Sequence, residues 1–217
     1  MIVDERVSCY IKSLTAYNSD FLEKLREKAL EAKVPIIKRE TESLLKTLLL
    51  LKKPKRILEV GAAVAYSSLV MAETLEGNVK ISTIENYEKR VLEARKNIKD
   101  SHYSNIIHLI EEDASKVLKE LVEKKEKYDF IFMDAAKGQY INWLEPVIKL
   151  LNKEGVLCSD NVLQGGDIVQ SRYLIERRDR SIHSRLREYL YELTHREELS
   201  TTILSLGDGV ALTVLKK

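Results

Sequence analysis

Apolar positions at the start of the chain recur at helical spacing. In "NSDFLEKLREKALEAK" (18–33), Phe21, Leu22, Leu25, Ala29 and Leu30 fall on one helix face, with Asn18 to Asp20 as candidate caps. "RETESLLKTLLLLKK" (39–53) predicts a second amphipathic helix, closed by Pro54. Then the rhythm changes. "RILEVG" (56–61), "VKISTIE" (79–85), "NIIHLIEED" (105–113), "YDFIFMD" (128–134) and "GVLCSDN" (155–161) are short apolar runs, separated by amphipathic segments of helix length. This alternation predicts an α/β fold: a parallel sheet with helices on its faces. After a long helical stretch at about 169–198, "STTILSLGDGVALTVLKK" predicts two strands around Gly207-Asp208-Gly209. The last strand should therefore run antiparallel to its neighbour.

Composition narrows the setting. The chain has 217 residues, 44% of them hydrophobic, enough for one good-sized core and one domain. A net charge of +2 leaves no global field, so any polyanion must be met by a local patch. Cys9 and Cys158 match no metal spacing and suit a reducing, cytoplasmic setting. "MIVDERVSCY" carries charges where a signal peptide needs an apolar stretch, and Leu48–Leu51 is far too short to span a bilayer.

The candidate chemistry gathers at strand ends. Ligands of open α/β sheets sit beyond the carboxyl ends of the strands. Five strands here finish on or near an acid: Glu59, Glu85, Asp113, Asp134 and Asp160. Each alone reads equally as a solvated strand end or a helix cap. Together, crowded carboxylates repel and want cations. In "EVGAAVAYSS", Gly61 follows a strand and opens a helix, where a backbone can approach a ligand closely. Glu85 lies 24 residues on, near the spacing of an acid that grips ribose hydroxyls. Ala63 and Ala65 stand where a dinucleotide fingerprint wants glycine, which weakens a nicotinamide-dehydrogenase reading.

A sharper group is Asp134, Asp160 and Asn161. If strands 128–134 and 155–161 are neighbours, their ends lie roughly 5 Å apart. Two carboxylates and an amide oxygen then converge, a hard-oxygen set suited to Mg²⁺ rather than zinc. Asp160-Asn161 also reads as a simple turn. Lys137 follows Asp134 within one turn of "FIFMDAAKGQY", as an ion-pair partner or as a base.

"EVGAAVAYS", "DAAK" and "SDN" resemble the metal-dependent, catechol-type O-methyltransferases that use S-adenosylmethionine, a family that includes caffeoyl-CoA methyltransferases. The likeness runs from about Val34 to "GDGVAL". Within it, "VPII", "MDAAKGQY", "DNVLQGG" and "RRDRSIHSRLREYL" are most similar to the bacterial branch that methylates 5-hydroxyuridine at the tRNA wobble position. The resemblance implies a class I methyltransferase (Rossmann-like) fold: a mostly parallel seven-stranded sheet, a C-terminal antiparallel hairpin and extra N-terminal helices. It implies one domain over 1–217, with 1–53 forming part of a lid and 54–217 the catalytic core, and a homodimer.

Carried over by position, it assigns Ile37 to packing against the cofactor, Glu59 to the methionine amino group and Ser67 to the carboxylate end. Gly61 forms the first turn, Glu85 holds the ribose, and Asp113 and Ala114 frame the adenine. Asp134, Asp160 and Asn161 bind Mg²⁺, Asp134 also faces the cofactor, and Lys137 is the base. Lysine ordinarily keeps its proton up to about pH 10.4, so that role needs a nearby cation favouring the neutral form. Ala65 departs from the family's usual glycine, and its methyl could crowd the methionine part.

The 4-carbonyl and 5-hydroxyl of 5-hydroxyuracil are neighbours like the oxygens of a catechol, so one metal chelates either pair. The segment 172–187 bears on the choice. It holds Arg172, Arg177, Arg178, Arg180, Arg185 and Arg187 against only Glu176 and Asp179. Arginine suits phosphate and unpaired bases, which makes Arg177, Arg178, Arg180 and Arg185 candidate RNA contacts. A solvated helix face with internal ion pairs fits the same run. Tyr173 and Tyr189 read as base-stacking or as packing residues. The alternatives are a small catechol or hydroxycinnamoyl acceptor, and a catalytically silent RNA-binding module.

Overall fold

The computed structural model describes residues 4–216. Three helices come first: α1 (Glu5–Leu14), α2 (Asp20–Glu31) and α3 (Arg39–Lys52). The core then alternates β1 (Arg56–Val60), α4 (Tyr66–Thr74), β2 (Lys80–Ile84), α5 (Glu88–Asp100), β3 (Ile107–Ile110), α6 (Ala114–Glu123), β4 (Tyr128–Met133), α7 (Tyr140–Leu150) and β5 (Leu151–Asp160). It closes with α8 (Arg180–His195), β6 (Leu199–Leu204) and β7 (Val210–Leu215).

The seven strands form one sheet in the order β3-β2-β1-β4-β5-β7-β6. Strands β1 to β5 pair in parallel, and β7 runs antiparallel to both β5 and β6. The terminal hairpin is therefore as its Gly-Asp-Gly turn predicts. Successive residues of the central strands feed opposite layers. Ile57, Phe130, Phe132 and Cys158 pack with Leu45, Leu49 and Leu69 of α3 and α4. Leu58, Ile131, Met133 and Leu157 pack with Leu144, Val147 and Leu186 of α7 and α8. A sheet buried on both faces needs unbroken apolar strands, the pattern that the sequence carries.

Three boundaries differ from the sequence reading. β3 is shorter than 105–113, because Asp113 leaves the strand to cap α6, accepting from the backbone N–H of Ser115 (2.9 Å) and Lys116 (3.3 Å). β5 starts early, at Leu151, which pairs with Tyr128 beyond a register shift. The helix expected over 169–198 begins only at Arg180. Gly165 (φ 64°) and Gly166 (φ 108°) break the chain into a short 3₁₀ piece, and Ser171 caps a separate turn through Tyr173 N–H. Val169, Tyr173 and Leu174 are largely exposed there, so no continuous apolar face exists to dock a longer helix.

The chain runs outward from β1 to β2 and β3, then returns to β4 on the other side of β1. That reversal opens a crevice at the carboxyl ends of β1 and β4.

Candidate active site

A cleft of about 900 Å³ occupies this crevice. Its lining includes Ile37, Gly61, Ser67, Glu85, Asp113, Ala114, Asp134, Lys137 and Asn161, so these sequence-predicted residues share one cavity. Glu59 and Asp160 are not among its lining residues; both are buried.

Gly61 makes the first turn possible. Its φ of 101° is open to glycine, and a Cβ there would lie 2.2 Å from the carbonyl oxygen of Asp134. The backbones leaving β1 and β4 touch at this point. Ala65 adopts a left-handed conformation (φ 63°) as the N-cap of α4. Its fully buried methyl packs in the core and is not among the residues lining the cleft. Glu85 ties the turn to β2. Its carboxylate accepts from the backbone N–H of Ala63 (2.8 Å), Asn86 (3.0 Å) and Tyr87 (2.9 Å).

Glu59 has no exposed surface. Its Oε2 accepts from Ser68 and, at 2.5 Å, from Thr83; Oε1 has no partner within bonding geometry, although the Ser67 hydroxyl is near enough to favour the charged form. Burial pushes its carboxyl above the ordinary range, against hydrogen bonds that lower it. An orphaned carboxylate oxygen behind a cleft wall fits an ammonium such as the one expected of S-adenosylmethionine.

The register Met133↔Ser159 places the following residues, Asp134 and Asp160, side by side at adjacent strand ends. Burial, and then the charge of Asp134, push the Asp160 carboxyl up to about 7, although Asn161 N–H donates to its Oδ1 at 2.8 Å. Asn161 turns the chain at φ 63°, a conformation asparagine tolerates. Among the described residues, no three His, Cys, Asp or Glu side chains gather as a metal site. The candidate set is two carboxylates and an amide. Their mutual repulsion and hard oxygens fit Mg²⁺. Lys137 Nζ donates to Asp134 Oδ1 at 2.6 Å.

Tyr140 went unnoticed in the sequence reading, because an aromatic opening an amphipathic helix reads as core. Its buried hydroxyl lies 3.0 Å from the carbonyl of Met133 and 3.2 Å from that of Asp160, and it accepts from Ala135 N–H at 3.3 Å. The Lys137 ammonium sits 5.4 Å from its ring centroid. One phenol thus braces both strand ends beneath the candidate base.

The four candidate RNA contacts divide. Arg177 is exposed with no partner among the described residues, and Arg178 is exposed and paired with Glu176 (3.0 Å) and Asp179 (3.4 Å). Arg180 donates to the carbonyls of Ile175 (3.0 Å) and Tyr173 (3.3 Å), and Arg185 to that of Gly138 (3.2 Å). Tyr189 is fully buried, bonded to Ser159 at 2.6 Å, whereas Tyr173 is 84% exposed.

The family model described as O-methyltransferase matches residues 12–217. The chain belongs to the O-methyltransferase family. A Staphylococcus aureus protein provisionally named a caffeoyl-CoA O-methyltransferase is 31% identical, with a TM-score of 0.89 over 97% of this chain and 100% of that one. A catechol O-methyltransferase of Niastella koreensis is 30% identical over 76% of each chain. The SAH-bound structure of a Podospora anserina methyltransferase is 25% identical, with a TM-score of 0.86 over 98% of this chain and 95% of its own. The sheet order and terminal hairpin of this O-methyltransferase are those of the class I fold, and its cleft opens where such folds take ligands.

Proposed function

We propose that the protein is a Mg²⁺-dependent O-methyltransferase that uses S-adenosylmethionine and acts on 5-hydroxyuridine at the tRNA wobble position, giving 5-methoxyuridine. The observation that carries the chemistry is the meeting of Asp134, Lys137 and Asn161 in one cleft with Gly61, Ser67 and Glu85. The methyl donor supplies an electrophilic carbon whose transfer leaves a neutral thioether. Ile37, Gly61 and Ser67 would flank its methionine part, with the Glu59 carboxyl behind them toward the ammonium; Glu85 would take the ribose hydroxyls, and Asp113 and Ala114 would frame the adenine.

Asp134, Asp160 and Asn161 would hold Mg²⁺, which when bound acts as a Lewis acid and template for two neighbouring acceptor oxygens. Lys137, once it has released its own proton to solvent, would as the neutral amine take the acceptor hydroxyl's proton while the O–C bond forms and the C–S bond breaks. Positioning supplies much of the acceleration, which suits a site braced by Tyr140. The N-terminal helices are part of one domain and its lid. The protein works as a homodimer in the cytoplasm, where its free cysteines stay reduced; no helix among the described residues is long and apolar enough to cross a membrane.

Exposed Arg177, Arg178 and Tyr173 support the tRNA reading: cations for phosphate, and an uncovered ring for an unpaired base. The identity with a catechol O-methyltransferase favours a second reading, a small catechol or hydroxycinnamoyl acceptor. Mass spectrometry of tRNA nucleosides from cells lacking the protein decides. Accumulated 5-hydroxyuridine supports the first reading; an unchanged profile in an organism that makes 5-methoxyuridine removes it.

A further inference from the structure

Behind the cleft wall, Glu42 of α3 is a fully buried carboxylate that joins three helices and a loop. Its Oε1 accepts from Asn18 Nδ2 at 2.8 Å and Arg39 Nη1 at 3.3 Å, with Lys46 Nζ at 3.4 Å. Its Oε2 accepts from the Tyr66 hydroxyl at 2.7 Å and Arg26 Nη1 at 3.3 Å. Arg39 also grips Glu23 with both terminal nitrogens. The same Arg26 nitrogen donates to the carbonyl of Ile37 at 3.1 Å, and its guanidinium lies 5.5 Å from the Tyr66 ring centroid. Burial and the Glu42 charge raise the Tyr66 phenol well above its ordinary value, so it stays a donor.

Ion clusters this deep are weak evidence for stability, because desolvation offsets most of the attraction. What the cluster holds is more telling. Ile37 and Tyr66 both line the cleft, one on the loop between α2 and α3, the other at the first position of α4. Without Glu42, the loop and the ring would lose their common tether, Arg26 and Lys46 would lose their carboxylate partner, and Arg39 would keep only Glu23.

We propose that Glu42 is a positioning residue for the methyl donor: through Arg26 and Tyr66 it fixes the Ile37 loop and the start of α4 in their binding geometry before the donor arrives. Pre-organisation of this kind acts on affinity, because the ordering cost is met during folding rather than on binding. The inference rests on the reading of the cleft as the S-adenosylmethionine site.

Calorimetry with S-adenosylhomocysteine on the purified protein tests it, beside steady-state kinetics. Glu42→Gln keeps the shape and removes the charge; it should weaken binding about tenfold and raise KM for the donor in parallel, with kcat at saturating donor within about twofold. Tyr66→Phe removes one hydroxyl and should show the same split at about threefold. Folded Glu42→Gln with wild-type affinity, or a loss confined to kcat, overturns the proposal. If circular dichroism shows Glu42→Gln unfolded, Tyr66→Phe decides, and wild-type affinity there overturns it. Wild-type protein that binds no S-adenosylhomocysteine removes the cofactor reading itself, a result distinct from either.

Discussion

Lys137 Nζ and Asp134 Oδ1 are 2.6 Å apart, three residues from each other on one short turn, with both side chains only 20% exposed. The pair is local, so the sheet need not move for the ammonium to change partner. A lysine serving only as a counter-ion would be replaceable at little cost to rate. As a positioned base, Lys137→Ala should lower the single-turnover rate on the order of 10²- to 10⁴-fold, with S-adenosylhomocysteine affinity unchanged. A rate near wild type would reduce Lys137 to an ion-pair partner.

Asp160 links the same site to stability. Its carboxyl is raised from 3.8 to about 7, by burial first and the Asp134 charge second. The folded protein therefore binds this proton more tightly than the unfolded chain. The associated stability is fully present below pH 3.8 and is lost as pH rises through about 7. In chelator, Asp160→Asn should exceed wild type in thermal midpoint near pH 8, and the gap should narrow steadily as pH falls toward 4. Added Mg²⁺ should stabilise wild type at pH 8 and leave the variant nearly unmoved. Parallel midpoints across pH would remove Asp160 from this account, and full methyl transfer in excess chelator would refute metal dependence.

Gly61 tests the contact between β1 and β4. A Cβ would meet backbone, not a flexible side chain, and the residue's φ of 101° is strained for any L side chain. Gly61→Ala should cost on the order of 2–4 kcal/mol in urea unfolding and impair donor binding, since Asp134 must shift. Ala65→Gly is the contrast. It relieves a left-handed alanine but deletes a buried methyl and frees the unfolded chain. These effects are each about 1 kcal/mol and oppose one another, so stability should change little. A large loss at Ala65 and none at Gly61 would reverse this assignment.

The parallel sheet and its hairpin were legible because strands buried on both faces need continuous apolar runs, and a Gly-Asp-Gly turn forces an antiparallel return. Eight of the nine predicted site residues in the cleft follow core strands, whose ends converge in this topology; Ile37 comes instead from the loop between α2 and α3. Glu42 was not legible. A glutamate in "RETESLL" reads as a solvated face of an amphipathic helix, and only tertiary contact with Arg26 and Tyr66 reveals it as buried. Tyr140 was hidden likewise, since its hydroxyl partners are backbone carbonyls at the ends of two neighbouring strands, β4 and β5. The arginine run marked a charged surface, but not which guanidinium bonds a nearby carbonyl, as Arg180 and Arg185 do.

That division among the arginines gives a test of substrate class. Arg177 and Arg178 are exposed and bond to no other element, while Arg185, also exposed, donates to the carbonyl of Gly138, beside Lys137. If the exposed pair meets phosphate, Arg177→Ala with Arg178→Ala should weaken tRNA binding and flatten its salt dependence. The logarithmic slope should fall by about 0.7 to 0.9 for each phosphate no longer neutralised. Methylation of a free catechol, where the site accepts one, should barely change, because that molecule never reaches the rim. Arg185→Ala should lower turnover on both substrates, since it loosens the turn that carries Lys137. Filter binding across a salt series, with initial rates on both substrates, separates these outcomes. Equal loss on both substrates for the exposed pair would point to a fold defect. Unchanged tRNA binding would sink the RNA rim and move the small-catechol acceptor to first place.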